Sequence, residues 1–207
     1  MKMGTDHHKL CIEEDFVDMT DEEVVEHVLG HDPQCFDEIT RRYQGKLSAY
    51  LWRFVGDADE ASDILQDVFV KAFNKLDTFD LEKKFSPWIY RIAHNEAVNH
   101  LKRKSRKHFI GLEDISTSKD KLKASDTDDA SLDQWFQKEL REEIKGALSQ
   151  LPPHYREIII LRYFEDQSYQ EIGKILDKPT NTVGTLLRRA KRRLLKVMMA
   201  MDSEELS

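Results

Sequence analysis

Two groups of side chains in this sequence have the types and spacing that bind nucleic acid. The first lies in residues 86–108, which carry six basic residues and one acidic residue. Cations bind phosphates, amides read base edges and aromatic rings stack on unpaired bases, so this mixture predicts contact with single-stranded or opening DNA. The candidates are Phe85, Trp88 and Tyr90 as rings and Arg91, His94, Asn95, Asn99, Lys102 and Arg103 as polar contacts. The alternative is a solvated basic face with Trp88 as a core anchor.

The second group lies in residues 178–197, which carry seven basic residues and no acidic one. A capping box at Ser168–Glu171 opens a short helix, residues 177–181 form a turn, and a longer helix runs from about 181 to 198. This order predicts a helix-turn-helix whose second helix enters the major groove. Its base-reading candidates are Thr180, Asn181, Thr182 and Thr185, and its phosphate-binding candidates include Arg188, Arg189 and Arg192. An ordinary helical hairpin with a basic carboxy-terminal helix is the alternative.

Two further spacings suggest metal chemistry, and we set both aside. His27, His31 and Cys35 recur every four residues, but glycine and proline between them interrupt the helix that would align them. Asp63 and Asp67 resemble the paired carboxylates of a metal-dependent nuclease, yet no further ligands cluster with them. No phosphate-binding loop, nucleophile elbow or catalytic cysteine–histidine pattern is visible. We therefore expect no metal, no cofactor and no enzymatic activity.

Helical periodicity predicts an all-α protein with two small helical domains joined by a flexible acidic linker. Apolar stripes cover residues 36–54 and 61–76, the latter with Phe73 pointing inward, and a shorter helix lies near residues 21–29. Ser86 and Pro87 indicate the cap and first position of a helix whose Arg91, His94, Asn95 and Asn99 point largely outward. We expect an acidic extension at 1–20, domains at 21–108 and 136–200, a linker at 109–135 and a tail at 201–207.

Charge is strongly segregated along the 207-residue chain, whose net charge is −7. Residues 1–38 carry two basic and twelve acidic groups, and residues 113–143 carry five basic and ten acidic groups. The two basic blocks therefore stand apart, as a bipartite nucleic-acid binder requires. No segment has the apolar length of a membrane span or the pattern of a signal peptide, so we expect a cytoplasmic protein without membrane insertion. Two cysteines are too few for a disulfide scaffold.

Four segments, in this order, resemble the sigma-70 family and, more narrowly, its compact extracytoplasmic-function (ECF) group. They are Ala61–Phe73 (ASDILQDVFVKAF), Ser86–Asn95 (SPWIYRIAHN), Leu151–Ile158 (LPPHYREI) and Ser168–Gly173 (SYQEIG). The resemblance covers about residues 20–108 and 136–197. It implies a sigma factor that binds core RNA polymerase and directs promoter-specific transcription initiation, with region 2 at 21–108 and region 4 at 136–200.

The resemblance also implies roles for particular residues. Asp63, Gln66, Asp67 and Lys71 would dock on the β′ coiled coil of the polymerase, although the residues alone favour a solvated helix face. Arg91, His94, Asn95, Asn99, Lys102, Arg103 and the loop at 78–85 would recognise and melt the minus-ten element and capture a flipped base of its non-template strand. The last helix would read the minus-thirty-five element as duplex.

The partners implied are core polymerase (the β′ coiled coil and the β subunit), double- and single-stranded promoter DNA and an anti-sigma factor. Family members often carry basic residues at the positions of Gly184 and Leu186. Because this chain lacks them, we expect its last helix to contact phosphates more than base edges. Asp177 replaces the glycine usual in the turn, and we expect the turn to survive because aspartate tolerates left-handed backbone. The alternatives are a stand-alone helix-turn-helix regulator and a sigma-like protein that has lost promoter function.

The distance between two promoter elements can be compared with the length of the linker. Elements about 17 base pairs apart lie roughly 58 Å apart at 3.4 Å per pair. A linker of about 25 residues spans at most roughly 85 Å when extended. Simultaneous engagement of both elements is therefore feasible.

Overall fold

A computed structural model of the protein describes residues 16–110 and 146–205. Every regular element in these ranges is helical, which confirms the all-α prediction. The amino-terminal half contains α1 (Asp21–Gly30), α2 (Phe36–Val55), α3 (Ala58–Asn74) and α4 (Phe85–Ile110), with short 3₁₀ helices at Pro33–Cys35 and Leu76–Thr78. Residues 146–149 are helical, and α5 (Pro153–Tyr163), α6 (Tyr169–Leu176) and α7 (Thr180–Glu205) follow. Within these ranges, no helix is both long enough and apolar enough to cross a membrane.

Helix α4 lies at the centre of the amino-terminal domain and contacts α1, α2 and α3. It begins at Phe85, one residue before the predicted cap at Ser86. The Phe85 N–H donates to the carboxylate of Glu22 on α1 at 2.7 Å, so a neighbouring helix satisfies this first donor. Helix α4 also continues to Ile110, two residues into the predicted linker, whose remaining residues 111–135 lie outside the described ranges.

Helix α1 is fixed on α2 by a network of charges. Thr20 and Glu23 form a capping box at its start. The Arg42 guanidinium on α2 donates to the Asp21 carboxylate at 2.9 Å and to the Glu38 carboxylate at 2.6 Å. The same guanidinium donates to the Met19 carbonyl at 2.9 Å. This network holds α1 in place, and α1 in turn holds the start of α4.

The predicted helix-turn-helix is confirmed as α6, a turn and α7. Ser168 and Glu171 form the capping box of α6, and Asp177 ends that helix in the left-handed conformation, with φ of 53°. The expectation that aspartate preserves the turn is therefore confirmed. Helix α7 begins at Thr180, one residue before its predicted start, and extends to Glu205, seven residues past its predicted end at 198.

The two domains pack against each other, an arrangement that the sequence did not reveal. Helix α4 contacts α6, and α2 contacts α5. Buried apolar residues of both halves form one continuous core, which joins Tyr50 and Tyr90 of the amino-terminal half to Ile158 and Ile172 of the carboxy-terminal half.

Two glycines of the helix-turn-helix should respond in opposite ways to alanine. A β-carbon at Gly173 would lie 2.8 Å from the Lys178 carbonyl oxygen, a backbone atom that has to shift. We expect Gly173→Ala to lower the free energy of unfolding by about 1–3 kcal/mol. A β-carbon at Gly184 would meet only the Tyr169 ring, at 3.6 Å, so Gly184→Ala should raise stability by up to about 1 kcal/mol. Urea denaturation measures both changes, and equal destabilisation by both would contradict this account of the turn.

Candidate nucleic-acid interface

The exposed side of α4 carries a row of polar residues. Asn95, Asn99, Lys102 and Arg103 are exposed. Ile89, Ala93 and Ala97, on the opposite side, are fully buried in the domain core. Burial of one side fixes the rotation of the helix and leaves amides and cations in solvent along the other, where a nucleic-acid strand can reach them.

The other two predicted polar residues of α4 face the carboxy-terminal domain. Arg91 is exposed, and its guanidinium lies 3.7 Å from the Asp177 carboxylate. His94 was predicted to point outward, and this is wrong. Its Nδ1 lies 2.5 Å from the Glu157 carboxylate, and only 19% of its side chain is exposed. The predicted polar residues of α4 thus fall into four that point into solvent and two, exposed Arg91 and largely buried His94, that face the second domain.

Two of the three aromatic rings proposed to stack on bases are core residues. Phe85 and Tyr90 are buried, so their predicted role as exposed stacking platforms is wrong. Trp88 is half-buried, as expected for a core anchor, and packs on Phe79 and Phe85 with ring centroids 5.5 and 5.4 Å away. It also lines a cleft of about 850 Å³ between the two domains. Trp88 alone of the three therefore remains within reach of a ligand in that cleft.

The loop before α4 contains a turn that is stabilised by contacts among its own residues. Asp80 accepts from the Glu82 N–H at 3.1 Å and pairs with Lys83 at 2.7 Å. The Lys83 ammonium and then the Glu82 N–H lower the pKa of Asp80. Lys84 reaches across the cleft to Glu171 at 2.9 Å. Lys83, Lys84 and Arg91 therefore give the amino-terminal wall of the cleft a positive charge.

The exposed side of α7 contains all seven of the predicted DNA contacts on this helix. Val183, Leu187 and Ala190 are buried on its inner side. The exposed residues are Thr180, Asn181, Thr182, Thr185, Arg188, Arg189 and Arg192. Arg189 and Arg192, with Arg193, Lys196 and Tyr155, line a shallow basic pocket of about 410 Å³. Small polar groups near the amino end and cations farther along match how such a helix contacts base edges and then phosphates.

The third predicted surface, on α3, is acidic and partly apolar. Asp63, Gln66 and Asp67 are exposed, whereas Lys71 pairs with Glu96 of α4 at 2.5 Å. Phe73 was predicted to point inward, yet 45% of it is exposed, although its ring edge still packs on Phe36. Val70, one turn away, is 60% exposed. Exposed apolar residues beside acidic ones are typical of a protein-binding surface.

Sequence reasoning missed the residues that join the domains. Tyr50 donates to the Glu157 carboxylate at 2.6 Å, and Tyr90 donates to the Glu165 carboxylate at 2.6 Å. The Arg156 guanidinium donates to the Phe54 carbonyl at 2.9 Å, at the carboxyl end of α2. The glutamates at 157 and 165 were the one available signal, because the first immediately precedes the apolar run at 158–161 and the second follows it by four residues.

Burial shifts the acid–base properties of this interface. Desolvation raises the pKa of Glu165, although its hydrogen bond from Tyr90 and the charge of Arg53 oppose the shift. Desolvation and the charges of the adjacent glutamates also raise the pKa of Tyr50 and of Tyr90. Both phenols are therefore neutral hydrogen-bond donors to the carboxylates.

Comparisons with known proteins agree with this architecture. Residues 39–107 match sigma-70 region 2, and residues 141–194 match sigma-70, region 4. The chain is 32% identical over 174 residues to the ECF RNA polymerase sigma factor SigW of Bacillus subtilis, an overlap of 83% of this chain and 93% of that protein. It is also 32% identical over 179 residues to the ECF RNA polymerase sigma-E factor of Escherichia coli, covering 84% and 91%.

The fold is shared with a solved sigma factor. RpoE of Bartonella quintana, crystallised in complex with the anti-sigma factor NepR, superposes with a TM-score of 0.65 at 23% identity, covering 79% of this chain and 96% of that one. The chain belongs to the sigma-70 family of RNA polymerase sigma factors, in its ECF group. Sigma factors are transcription initiation factors and not enzymes, so the prediction of a non-enzymatic DNA-binding protein is confirmed.

The acid dependence of stability should reveal the capping box of α6. The Ser168 hydroxyl, followed by Lys84, lowers the pKa of Glu171 from 4.5 to about 2. A carboxyl with a lowered folded-state pKa stabilises the protein fully above its unfolded pKa, so this stabilisation is lost as pH falls from 4.5 towards 2. We expect Glu171→Gln to flatten the stability profile in that window, measured by urea denaturation at several pH values.

A control separates the two partners of Glu171. Lys84→Gln removes the ion pair but leaves the Ser168 hydroxyl, so it should flatten the profile less than Glu171→Gln does. If the pH profile of stability in Glu171→Gln were unchanged, the acid-dependent stabilisation could not be assigned to Glu171.

Proposed function

We propose that this protein binds core RNA polymerase and directs promoter-specific initiation by reading a minus-ten and a minus-thirty-five element and helping to melt the former. Region 2 would span residues 21–108 and region 4 residues 136–200, with residues 109–135 as linker. The observation that carries the proposal is common to α3, α4 and α7. Each buries an apolar side and exposes most of the polar residues that the family pattern associates with polymerase or DNA.

The polymerase-binding surface would be the exposed side of α3. Asp63, Gln66 and Asp67 supply its polar contacts, and Val70 and Phe73 add apolar area at its carboxyl end. Exposed apolar area beside polar contacts favours a protein partner, which here would be the β′ coiled coil. Lys71 would act indirectly, because its ammonium is already paired with Glu96 and links α3 to α4.

The minus-ten reader would be α4 and the loop before it. Asn95 and Asn99 present amides that can pair with base edges, while Lys102 and Arg103 continue the row as phosphate contacts. Trp88 and the basic loop would receive an unpaired base of the non-template strand. Arg91 and His94 would join this surface once they are released from Asp177 and Glu157.

The minus-thirty-five reader would be the first two turns of α7 in the major groove. Asn181 and the exposed threonines would contact base edges, and Arg188, Arg189 and Arg192 would hold phosphates. Gly184 and Leu186 contribute no charge, so phosphate contacts would provide more of the binding here than base contacts. The β subunit, and an anti-sigma factor as implied for the ECF group, complete the proposed partners.

Run-off transcription tests the proposal. Core RNA polymerase and purified protein are supplied with a library of templates randomised over both elements, and the initiating templates are sequenced. We expect enrichment of two sequence blocks about 17 base pairs apart, each engaging one domain. Failure of the protein to bind core polymerase, or initiation without enriched sequence, would contradict the proposal.

Substitutions on α4 and α3 should separate DNA opening from polymerase binding. Asn95→Ala removes a base contact worth about 1–3 kcal/mol, so we expect promoter opening to fall by about tenfold or more. Its affinity for core polymerase should stay unchanged because Asn95 is not on α3. Permanganate reactivity of unpaired thymines measures opening, and fluorescence anisotropy measures core binding.

The reciprocal variant is Asp67→Arg, which reverses an exposed charge on α3. We expect it to weaken core binding with little effect on opening once holoenzyme is saturated. Equal losses of both activities in either variant would assign a structural role to the residue.

Salt dependence should separate phosphate contacts from base contacts on α7. Arg192→Ala should weaken holoenzyme binding to all promoter sequences alike and reduce the slope of log affinity against log salt by about 1. Asn181→Ala should alter sequence preference and leave the slope unchanged. Filter binding between about 50 and 200 mM salt measures both. An unchanged slope in Arg192→Ala would remove that residue from the phosphate contacts.

A further inference from the structure

Charged residues of opposite sign face each other where α3 packs along α4. The Lys71 ammonium of α3 lies 2.5 Å from the Glu96 carboxylate of α4. Towards the other end of this contact, the Glu60 carboxylate of α3 accepts a hydrogen bond from Lys104 at 2.6 Å and lies 3.0 Å from Nε2 of His100. We call these five residues the α3–α4 seam. It ties the two helices together at both ends of their contact.

The seam lies directly beside the polar row that we propose for the minus-ten element. Glu96 follows Asn95 in the chain and precedes Asn99 by three residues, and side chains three apart are neighbours on a helix surface. Glu96 is only 8% exposed, whereas both asparagines are exposed. Any rotation of α4 that breaks the contact of Glu96 with α3 therefore also redirects both amides.

The apolar core defines the rotation of this part of α4 weakly. Ala93 and Ala97 are its fully buried residues on the inner side. Helices interlock through ridges formed by their side chains, and a methyl group forms only a shallow ridge. The cost of desolvating an ion pair offsets much of its attraction, and the best-attested effect of such a pair is to select one register. The contact between Lys71 and Glu96 is placed to do so here.

A small rotation of α4 is enough to affect base contacts. Side-chain ends lie about 5–6 Å from a helix axis, so a rotation of about 10° displaces them by about 1 Å. Hydrogen-bond lengths vary by only about 0.5 Å, so this displacement would break the paired contacts of an amide with a base edge. The attraction of the cations farther along the row to phosphates would change little, because it falls off gradually with distance.

We propose that Glu96 is a positioning residue of the minus-ten reader and that it acts through Lys71. The pair fixes the rotation of α4 and thereby the direction of the Asn95 and Asn99 amides. Its effect is on base discrimination, because the phosphate contacts tolerate a small rotation. This inference rests on the proposed function, since it takes α4 as the minus-ten reader.

Base discrimination by holoenzyme tests the proposal. The templates carry a promoter recovered in the run-off selection, either intact or with each single base change across its minus-ten block. The ratio of run-off initiation on the intact and the changed template, at saturating core polymerase, gives the discrimination at each position. Asn95→Ala and Asn99→Ala first identify the positions that the amides read. We expect Glu96→Gln to lower discrimination at those positions by about fivefold or more and to leave the other positions unchanged.

A second variant approaches the same pair from α3. Lys71→Met removes the ammonium from a side chain that is 47% exposed, and the apolar part of the side chain is retained. It should lower discrimination at the same positions as Glu96→Gln. The two substitutions combined should cause little further loss, because each removes the same interaction.

Glu38→Gln is the matched control. It makes the same acid-to-amide change in the same domain, on a residue that is 6% exposed. The ion-pair partners of Glu38 are Arg41 and Arg42 of its own helix, and Arg42 retains its contact with Asp21, so α1 stays in place. Glu38→Gln should leave discrimination unchanged even where it lowers the thermal transition.

Each result has a definite consequence. A loss confined to the positions that the amides read, without further loss in the double variant, supports the proposal. An unchanged ratio in Glu96→Gln overturns it, as does an equal fall at every position or an equal loss in Glu38→Gln. Additive losses in the double variant would assign separate roles to Glu96 and Lys71 and overturn the proposal as well.

The thermal transition establishes that each variant is folded, and if Glu96→Gln does not fold, the same outcomes are decided by Lys71→Met. Wild-type holoenzyme that shows no discrimination across the minus-ten block would refute the proposed function. Discrimination by the wild type that both single variants retain would refute only the positioning role of Glu96.

Discussion

The structure depends on the burial of more than one side of α4. Ile89, Ala93 and Ala97 pack into the core of the amino-terminal domain, and the small alanines allow close approach to neighbouring helices. Tyr90 and His94, on another side, meet the carboxy-terminal domain. The remaining side is polar and exposed. Because one helix serves the core, the domain interface and the proposed DNA contact, any change in its rotation alters all three.

The local structure follows from the sequence because its causes are local. Ser168 and Glu171 are three residues apart and satisfy each other's backbone donors, and Asp177 supplies the left-handed turn that follows. Apolar spacing of three and four similarly defines α2 and α3. At Phe85, where α4 begins one residue earlier than predicted, Glu22 of α1 supplies the acceptor for the first N–H.

The tertiary arrangement did not follow from the sequence, because its causes are distant in the chain. Tyr50 and Glu157 are 107 positions apart, and a glutamate in a helical pattern normally indicates a solvated face. The positions of Tyr90 and His94 along α4 are compatible with either a DNA-binding surface or a domain interface. Phe73 continues an apolar stripe by spacing and is nevertheless 45% exposed, although Ala72 and Leu76 on either side of it are buried. The proposed functional residues on α7 and α3 were easier to identify, because most of them lie in solvent as their polarity predicts.

The net charge of −7 is best understood through its distribution. Basic groups are concentrated on the two helices that we propose to contact DNA, and acidic groups of the carboxy-terminal domain cover part of the first of them. Acidic segments reduce non-specific attraction to nucleic acid, while the local cations preserve binding when both domains are aligned. Polymerase would provide that alignment.

The central claim is that two separate surfaces of one chain read two DNA elements at once. Its most direct test varies the spacer between the enriched elements by one base pair at a time and measures initiation by holoenzyme. Each added pair rotates one element by about 34° relative to the other, since a helical turn holds about 10.5 pairs. We expect a maximum of initiation at one spacer length and a steep fall within two pairs on either side. Initiation that is independent of spacer length, or that persists when either element is deleted, would contradict it.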